Sequence, residues 1–140
     1  MENQILTIEL WAVVAVAVLQ LLLAFVSASG LTLAMGMDWA AGNRETPSTA
    51  TGWVPRCINA HRNLMENSLP FAAAVLVAHL AGVHTQWTAA AALVFVAARI
   101  AHAILYSAGV TALRLRTIAH FVAIASTLTI VGSIVAVSIG

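Results

Sequence analysis

The chain has 140 residues, of which 61% are hydrophobic and 8% are charged, and its formal net charge is +1 at pH 7. This composition is typical of a membrane protein rather than of a soluble domain. The six basic residues, all of them arginine, are too few to form a dense basic face, so a nucleic-acid partner is excluded. A single cysteine, Cys57, excludes an intramolecular disulfide.

Three apolar segments, and a fourth that begins with a polar run, predict four transmembrane helices that form one domain over residues 1–140. A helix needs about 20 residues to span a bilayer, and each predicted segment reaches this length. The predicted helices cover residues 5–37, 56–80, 87–107 and 117–139. The connection 38–55 is rich in Gly, Pro and polar residues, and Pro55 suits the first turn of the second helix. The expected fold class is therefore an all-α membrane protein, a bundle of four transmembrane helices.

The arginines predict how the chain is oriented in the membrane. Arg44 lies in the first predicted loop, and Arg114 and Arg116 lie in the third, whereas the middle loop and both termini contain no Lys or Arg. The positive-inside rule places loops one and three in the cytoplasm and both termini outside it. We therefore expect a multi-pass integral membrane protein of a bacterial inner membrane.

The second predicted helix begins with the most polar run of the chain, residues 56–71. The apolar run that follows, 71–83, is too short to span a bilayer, so the helix must carry part of the polar run into the membrane. At 100° per residue, four side chains of this run fall within one sector of the helix that is about 80° wide. They are Arg56, Asn59, Asn63 and Glu66. Isolated charge at membrane depth is costly and is typical of a functional site.

The third predicted helix carries a second polar stripe, because Arg99, His102 and Tyr106 are spaced i, i+3, i+7 on one face. Arg99 needs a partner near the middle of its segment, and Glu66 is the only acidic residue inside helices two to four, which predicts a Glu66–Arg99 pair. Such a pair alone fits a structural link between helices equally well. A ligand with several carboxylates is favoured by the excess of polar side chains toward the same end, namely Arg56, Asn59, Arg62, Asn63, His102, Tyr106, Arg114 and Arg116.

These motifs resemble the MAPEG family, the membrane-associated proteins in eicosanoid and glutathione metabolism. The second helix contributes Arg56, residues 60–67 (AHRNLMEN) and Pro70-Phe71, and the third contributes the Arg99 stripe, followed by Arg116-Thr117. The resemblance covers essentially the whole chain. It implies a homotrimer of four-helix subunits that binds glutathione between neighbouring subunits, near the cytoplasmic face of the membrane.

The resemblance also implies roles for individual residues. Glutathione would be bound by Arg56, Asn63, Glu66, Arg99, His102 and Tyr106. Glu66 suits the glutamyl ammonium, and the arginines suit the two carboxylates. Arg116 matches the arginine expected beside the thiol, where a cation raises the fraction of reactive thiolate. The spacing from Tyr106 leaves Arg114 as the alternative, and Asn59 stands where many members carry arginine.

Three functions are compatible with the sequence. The first is a glutathione-dependent transferase or peroxidase that acts on hydrophobic small molecules or lipids. The second is a non-catalytic membrane protein of the same fold that binds a lipid or a partner. The third is a small four-span drug exporter, which is disfavoured because the first helix carries only Glu9, near its outer end. No metal site is predicted, since His79, His84 and His120 form no cluster with a carboxylate or with Cys57.

Overall fold

The computed structural model describes residues 6–139, and all regular elements in this part of the chain are helical. The four long helices are α1 (Ile8–Met35), α3 (Trp53–Leu80), α4 (Gln86–Ala108) and α5 (Leu115–Ile139). A short helix, α2 (Met37–Ala41), follows α1, and a single 3₁₀ turn (Ala112–Arg114) precedes α5. Residue 5, where the first helix was predicted to begin, and the C-terminal residue 140 lie outside the described residues.

Three helices, α1, α4 and α5, are long and apolar enough to cross a membrane. The chain is therefore an integral membrane protein. Helix α3 has 28 residues, the same length as α1. It is not among these three candidate spans, because its first half carries the polar run that the sequence places there.

Several helix boundaries differ by one to three residues from the sequence prediction, and two of them flank the first loop. The first helix ends at Met35 because Gly36, with φ 87, takes a conformation outside the helical region. The chain then forms α2, which begins at Met37, the last residue of the first predicted helix, and continues into the segment that was predicted to be a loop. The second long helix begins at Trp53 rather than at residue 56, so Pro55 lies inside its first turn, where a missing N–H costs nothing.

Helices α3 and α4 form the middle of the bundle, and α1 and α5 each pack on both of them. The rings of Phe71 and Phe95 are buried and stacked, with centroids 3.8 Å apart. Gly30 allows α1 to approach α3 closely, because a Cβ atom there would lie 2.7 Å from the Trp53 ring. Small residues at helix contacts are the usual means of close packing within membranes.

The bundle has two chemically different ends. The arginine end is formed by the end of α1, the start of α3, the end of α4 and the start of α5; the opposite end is termed the distal end. At the distal end the buried Glu9 accepts a hydrogen bond from Thr88 at 2.5 Å, and His84 Nδ1 lies 4.0 Å from its carboxylate. This carboxylate joins α1 to α4 by polar contacts far from the predicted ligand site.

Candidate functional site

A polar cavity of about 200 Å³ lies at the arginine end, between α3, α4 and α5. It is lined by Asn63, His102, Tyr106, Arg116, Thr117 and His120. The last two were not among the residues predicted from the sequence. Their spacing from Arg116, i+1 and i+4, places them toward one side of α5 and was visible in the sequence. What was not visible is that this side of α5 meets α3 and α4.

Arg99 lies deep in the bundle and is only 1% exposed. Its Nη2 atom donates to Asn63 Oδ1 at 2.7 Å, while Nε and Nη1 have no hydrogen-bond partner among the described residues. A guanidinium can only donate, so the amide oxygen of Asn63 faces Arg99 and its NH₂ group remains a donor for another acceptor. A buried cation with one neutral partner is costly, and a nearby anion would offset that cost.

The predicted Glu66–Arg99 ion pair is wrong for the described chain. Glu66 is exposed on the outer side of α3, and Arg99 bonds to Asn63 instead. Within residues 6–139 the one contact between a basic side-chain nitrogen and a carboxylate oxygen within 4.0 Å is the distal His84–Glu9 contact. The reason is the position of the two side chains around α3. Glu66 follows Asn63 by three residues and therefore lies about 60° away around the helix, and it is Asn63 that faces α4.

The polar stripe of α3 is divided in the same way. Arg56 and Asn63 are half-buried at its inner edge, whereas Asn59 and Glu66 are exposed, as is Arg62. The exposed groups form a polar patch on a helix whose following turns expose mainly apolar side chains. The chain therefore leaves charged groups of α3 exposed at the arginine end.

Arg56 lies at the arginine end but does not line the cavity. Its Nε atom donates to the backbone carbonyl of Ser107 at 3.1 Å, which places a cation at the C-terminus of α4. Gly109 ends this helix with φ 75 and makes room for the contact, since a Cβ atom there would lie 3.1 Å from the Arg56 guanidinium carbon. Arg56 thus contributes positive charge to the site and fixes α3 against α4.

The two arginines that the sequence left as alternatives lie in different surroundings. The Arg116 guanidinium carbon sits 4.6 Å from the centre of the Tyr106 ring, a cation–π contact worth about 0.5–2 kcal/mol that holds it on the cavity side. Arg114 is exposed and lines a separate groove along α5. Its backbone is left-handed, with φ 53, which costs a non-glycine residue about 1–2 kcal/mol.

The two histidines of the cavity also have unused hydrogen-bonding capacity. His102 packs against Tyr106 and against His120, with ring centroids 5.5 and 6.2 Å apart. The Nδ1 atoms of both histidines are buried and have no hydrogen-bond partner in the part of the chain that is described. Buried polar atoms are almost always paired, so their number here favours a polar ligand. No group of three metal-ligating side chains occurs among residues 6–139.

One family model, described as the MAPEG family, matches residues 8–136 of the chain. The matched segment begins with α1 and includes every residue that lines the cavity. The match confirms the resemblance drawn from the motifs of the second and third predicted helices. No curated protein matches the chain.

Proposed function

The chain belongs to the MAPEG family, and on this basis we propose that it is a membrane-bound glutathione-dependent transferase or peroxidase for hydrophobic electrophiles from the lipid phase. The observation that supports this most directly is the buried Arg99, whose partner in the chain is the neutral Asn63. A buried cation with free donors favours an anionic ligand at this end of the bundle. Glutathione carries two carboxylates, one ammonium and one thiol.

The cavity residues supply hydrogen-bonding groups for such a ligand. The amide NH₂ of Asn63, held in place by Arg99, donates to a carboxylate or a thiolate. His102 and Tyr106 add an imidazole and a phenol from α4. Arg56 and Arg99 do not line the cavity, but they add positive charge around it. We propose that they bind the two carboxylates, since charge-assisted hydrogen bonds are roughly twice as strong as neutral ones.

We assign activation of the thiol to Arg116 rather than to Arg114, because Arg116 lines the cavity with Asn63 and His102. A thiol with a pKa of about 8.5 is mostly protonated at neutral pH, and a neighbouring cation lowers that pKa. The thiolate then attacks an electrophilic carbon and forms a thioether, while the leaving group departs with its bonding electrons. With a hydroperoxide, the thiolate sulfur bonds to the terminal OH group as the O–O bond breaks, which gives a sulfenic acid and an alkoxide, and the alkoxide takes a proton from water and leaves as an alcohol. A second glutathione then gives the disulfide and water.

A homotrimer would complete the site. A cavity of about 200 Å³ is smaller than the roughly 300–1,000 Å³ typical of ligand pockets, so one subunit encloses only part of a tripeptide. Asn59, Arg62 and Glu66 are exposed beside it. We propose that a neighbouring subunit covers this patch and that Glu66 binds the glutamyl ammonium there. Native mass spectrometry that finds only monomers in several mild detergents would contradict the trimer.

In this proposal α3 also crosses the membrane, which brings the number of spans to four. The arginine end faces the cytoplasm of a bacterial cell. The loops 42–52 and 109–114, with Arg44 and Arg114, then obey the positive-inside rule, and both termini lie outside. A reporter fused after Ser138 tests the orientation, and its activity in the cytoplasm would disprove it.

Glutathione binding to the purified protein tests the proposed function. Isothermal titration calorimetry should detect binding, and the diethyl ester of glutathione should bind at least about tenfold more weakly, since its masked carboxylates lose charge-assisted contacts. Equal affinity for the two ligands would contradict the role of the buried cations. If neither ligand binds, the enzyme proposal fails and a non-catalytic member of the same fold remains.

A further inference from the structure

His120 is a cavity residue that has no role in the reaction as proposed above. It lies in the second turn of α5 and lines the polar cavity together with Asn63 and Arg116. Its Nδ1 atom is buried and has no hydrogen-bond partner within residues 6–139. A buried nitrogen without a partner is uncommon and indicates that the imidazole serves something other than the fold.

The position of His120 brings it close to the arginine that we assign to the thiol. His120 follows Arg116 by four residues, so the two side chains are neighbours on one face of α5. The Arg116 guanidinium is held over the Tyr106 ring, and the His120 ring lies 6.2 Å from the ring of His102. A sulfur atom beside Arg116 therefore comes within reach of the His120 imidazole.

The cavity contains few groups that could accept a proton. No carboxylate lines it within the described part of the chain. An ordinary imidazole has a pKa of about 6.5, so it is mostly neutral at neutral pH and accepts a proton. Of the two cavity imidazoles, His102 is only 4% exposed, whereas His120 is half-buried. The charged, titratable and amide groups around His120 are Arg116 on α5, Arg99, His102 and Tyr106 on α4, and Asn63 on α3.

We propose that His120 is a further catalytic residue, whose imidazole takes the proton from the thiol of bound glutathione. This inference rests on the proposed function. The S–H bond breaks with its electron pair left on sulfur, and the proton becomes the second N–H of the imidazole. Arg116 then stabilises the thiolate while His120 holds the proton. After the thiolate has attacked the electrophile, the imidazolium gives its proton to water, which restores the base.

The number of protons released when glutathione binds tests this assignment. Calorimetry at one neutral pH, in buffers with different ionisation enthalpies, gives the protons released, and ultraviolet absorbance gives the thiolate formed. In the native protein fewer than about half a proton should be released per thiolate, because His120 keeps it. His120→Gln should release about one proton per thiolate, since an amide has no site for it.

The rate of conjugation should show the same role as a defect that depends on pH. His120→Gln should react at least about tenfold more slowly than the native protein at pH 7 and within about twofold of it at pH 9, where the thiol ionises without a base. Its affinity for glutathione should stay within about threefold, because the charged contacts to the ligand remain. A purely structural role for His120 would lower the rate equally at both pH values.

His79→Gln is the matched control. His79 also has a buried Nδ1 atom without a partner among residues 6–139, but it lies near the end of α3, at the distal end of the bundle. Its proton release and its rates should equal those of the native protein. A native protein that releases a full proton per thiolate overturns the proposal, whether or not the variant folds. So does a rate defect in His120→Gln that is equal at the two pH values. If the native protein binds no glutathione, the proposed function fails and this inference fails with it.

Discussion

Replacing Asn63 with leucine should destabilise the protein by about 2 kcal/mol and should remove measurable glutathione binding. Asn63 Oδ1 is the acceptor for the buried Arg99, and leucine leaves this guanidinium without its partner in the described chain. The same substitution removes the NH₂ donor that we assign to the ligand. Thermal unfolding in detergent and calorimetry with glutathione measure the two effects.

Asn63→Asp separates the two roles of this residue. A carboxylate in place of the amide gives Arg99 an anionic acceptor at the same position, so the free energy of unfolding should be unchanged or higher. Glutathione binding should still fall by at least about tenfold, because the new charge repels the ligand's carboxylates and the NH₂ donor is gone. If Asn63→Asp binds glutathione as the native protein does, Asn63 does not contact the ligand.

Arg116→Leu should lower the rate of conjugation by about a hundredfold, the loss that typically follows removal of one group that stabilises developing negative charge. The affinity for glutathione should change by less than about threefold, because Arg116 acts on the thiol rather than on the carboxylates in our proposal. Initial rates with an uncharged aryl halide, together with calorimetry, measure both quantities.

Arg44→Leu is the control for this substitution. It removes one exposed arginine from the same end of the bundle, away from the cavity. Its rate and affinity should equal those of the native protein. If Arg116→Leu retains the native rate, Arg116 is not the activating residue. If it loses glutathione affinity and rate together, Arg116 is a binding residue instead.

The helices were the most predictable part of this protein. Membrane-length apolar runs end at polar or glycine-containing segments, so α4 at Gln86–Ala108 lies within one residue of the predicted 87–107 at each end. Hydropathy does not reveal a local backbone break, and the end of α1 at Gly36 depends on a positive φ. The continuation of α3 through Pro70 agrees with the prediction of a single helix up to Leu80.

The site was predictable where it depends on spacing within one helix. Arg99, His102 and Tyr106 share a face because of the α-helical period, and two of these residues line the cavity. Asn63 and Glu66 differ by about 60° around the axis of α3. This angle is smaller than the width of the predicted polar sector, so the sector alone does not show which of the two meets Arg99. The sequence therefore favoured Glu66 by charge, whereas packing selects Asn63. To predict that Thr117 and His120 line the cavity, one would need to know which side of α5 faces α3.

The most direct test of the account is the ultraviolet titration of glutathione bound to the native protein, in which thiolate absorbance is followed as a function of pH. The account predicts that the bound thiol ionises at least about one pH unit below the value of about 8.5 that is typical of a free thiol. This shift would follow from the positive charge of Arg116 beside the sulfur. A bound thiol that titrates as it does in water would contradict the central claim.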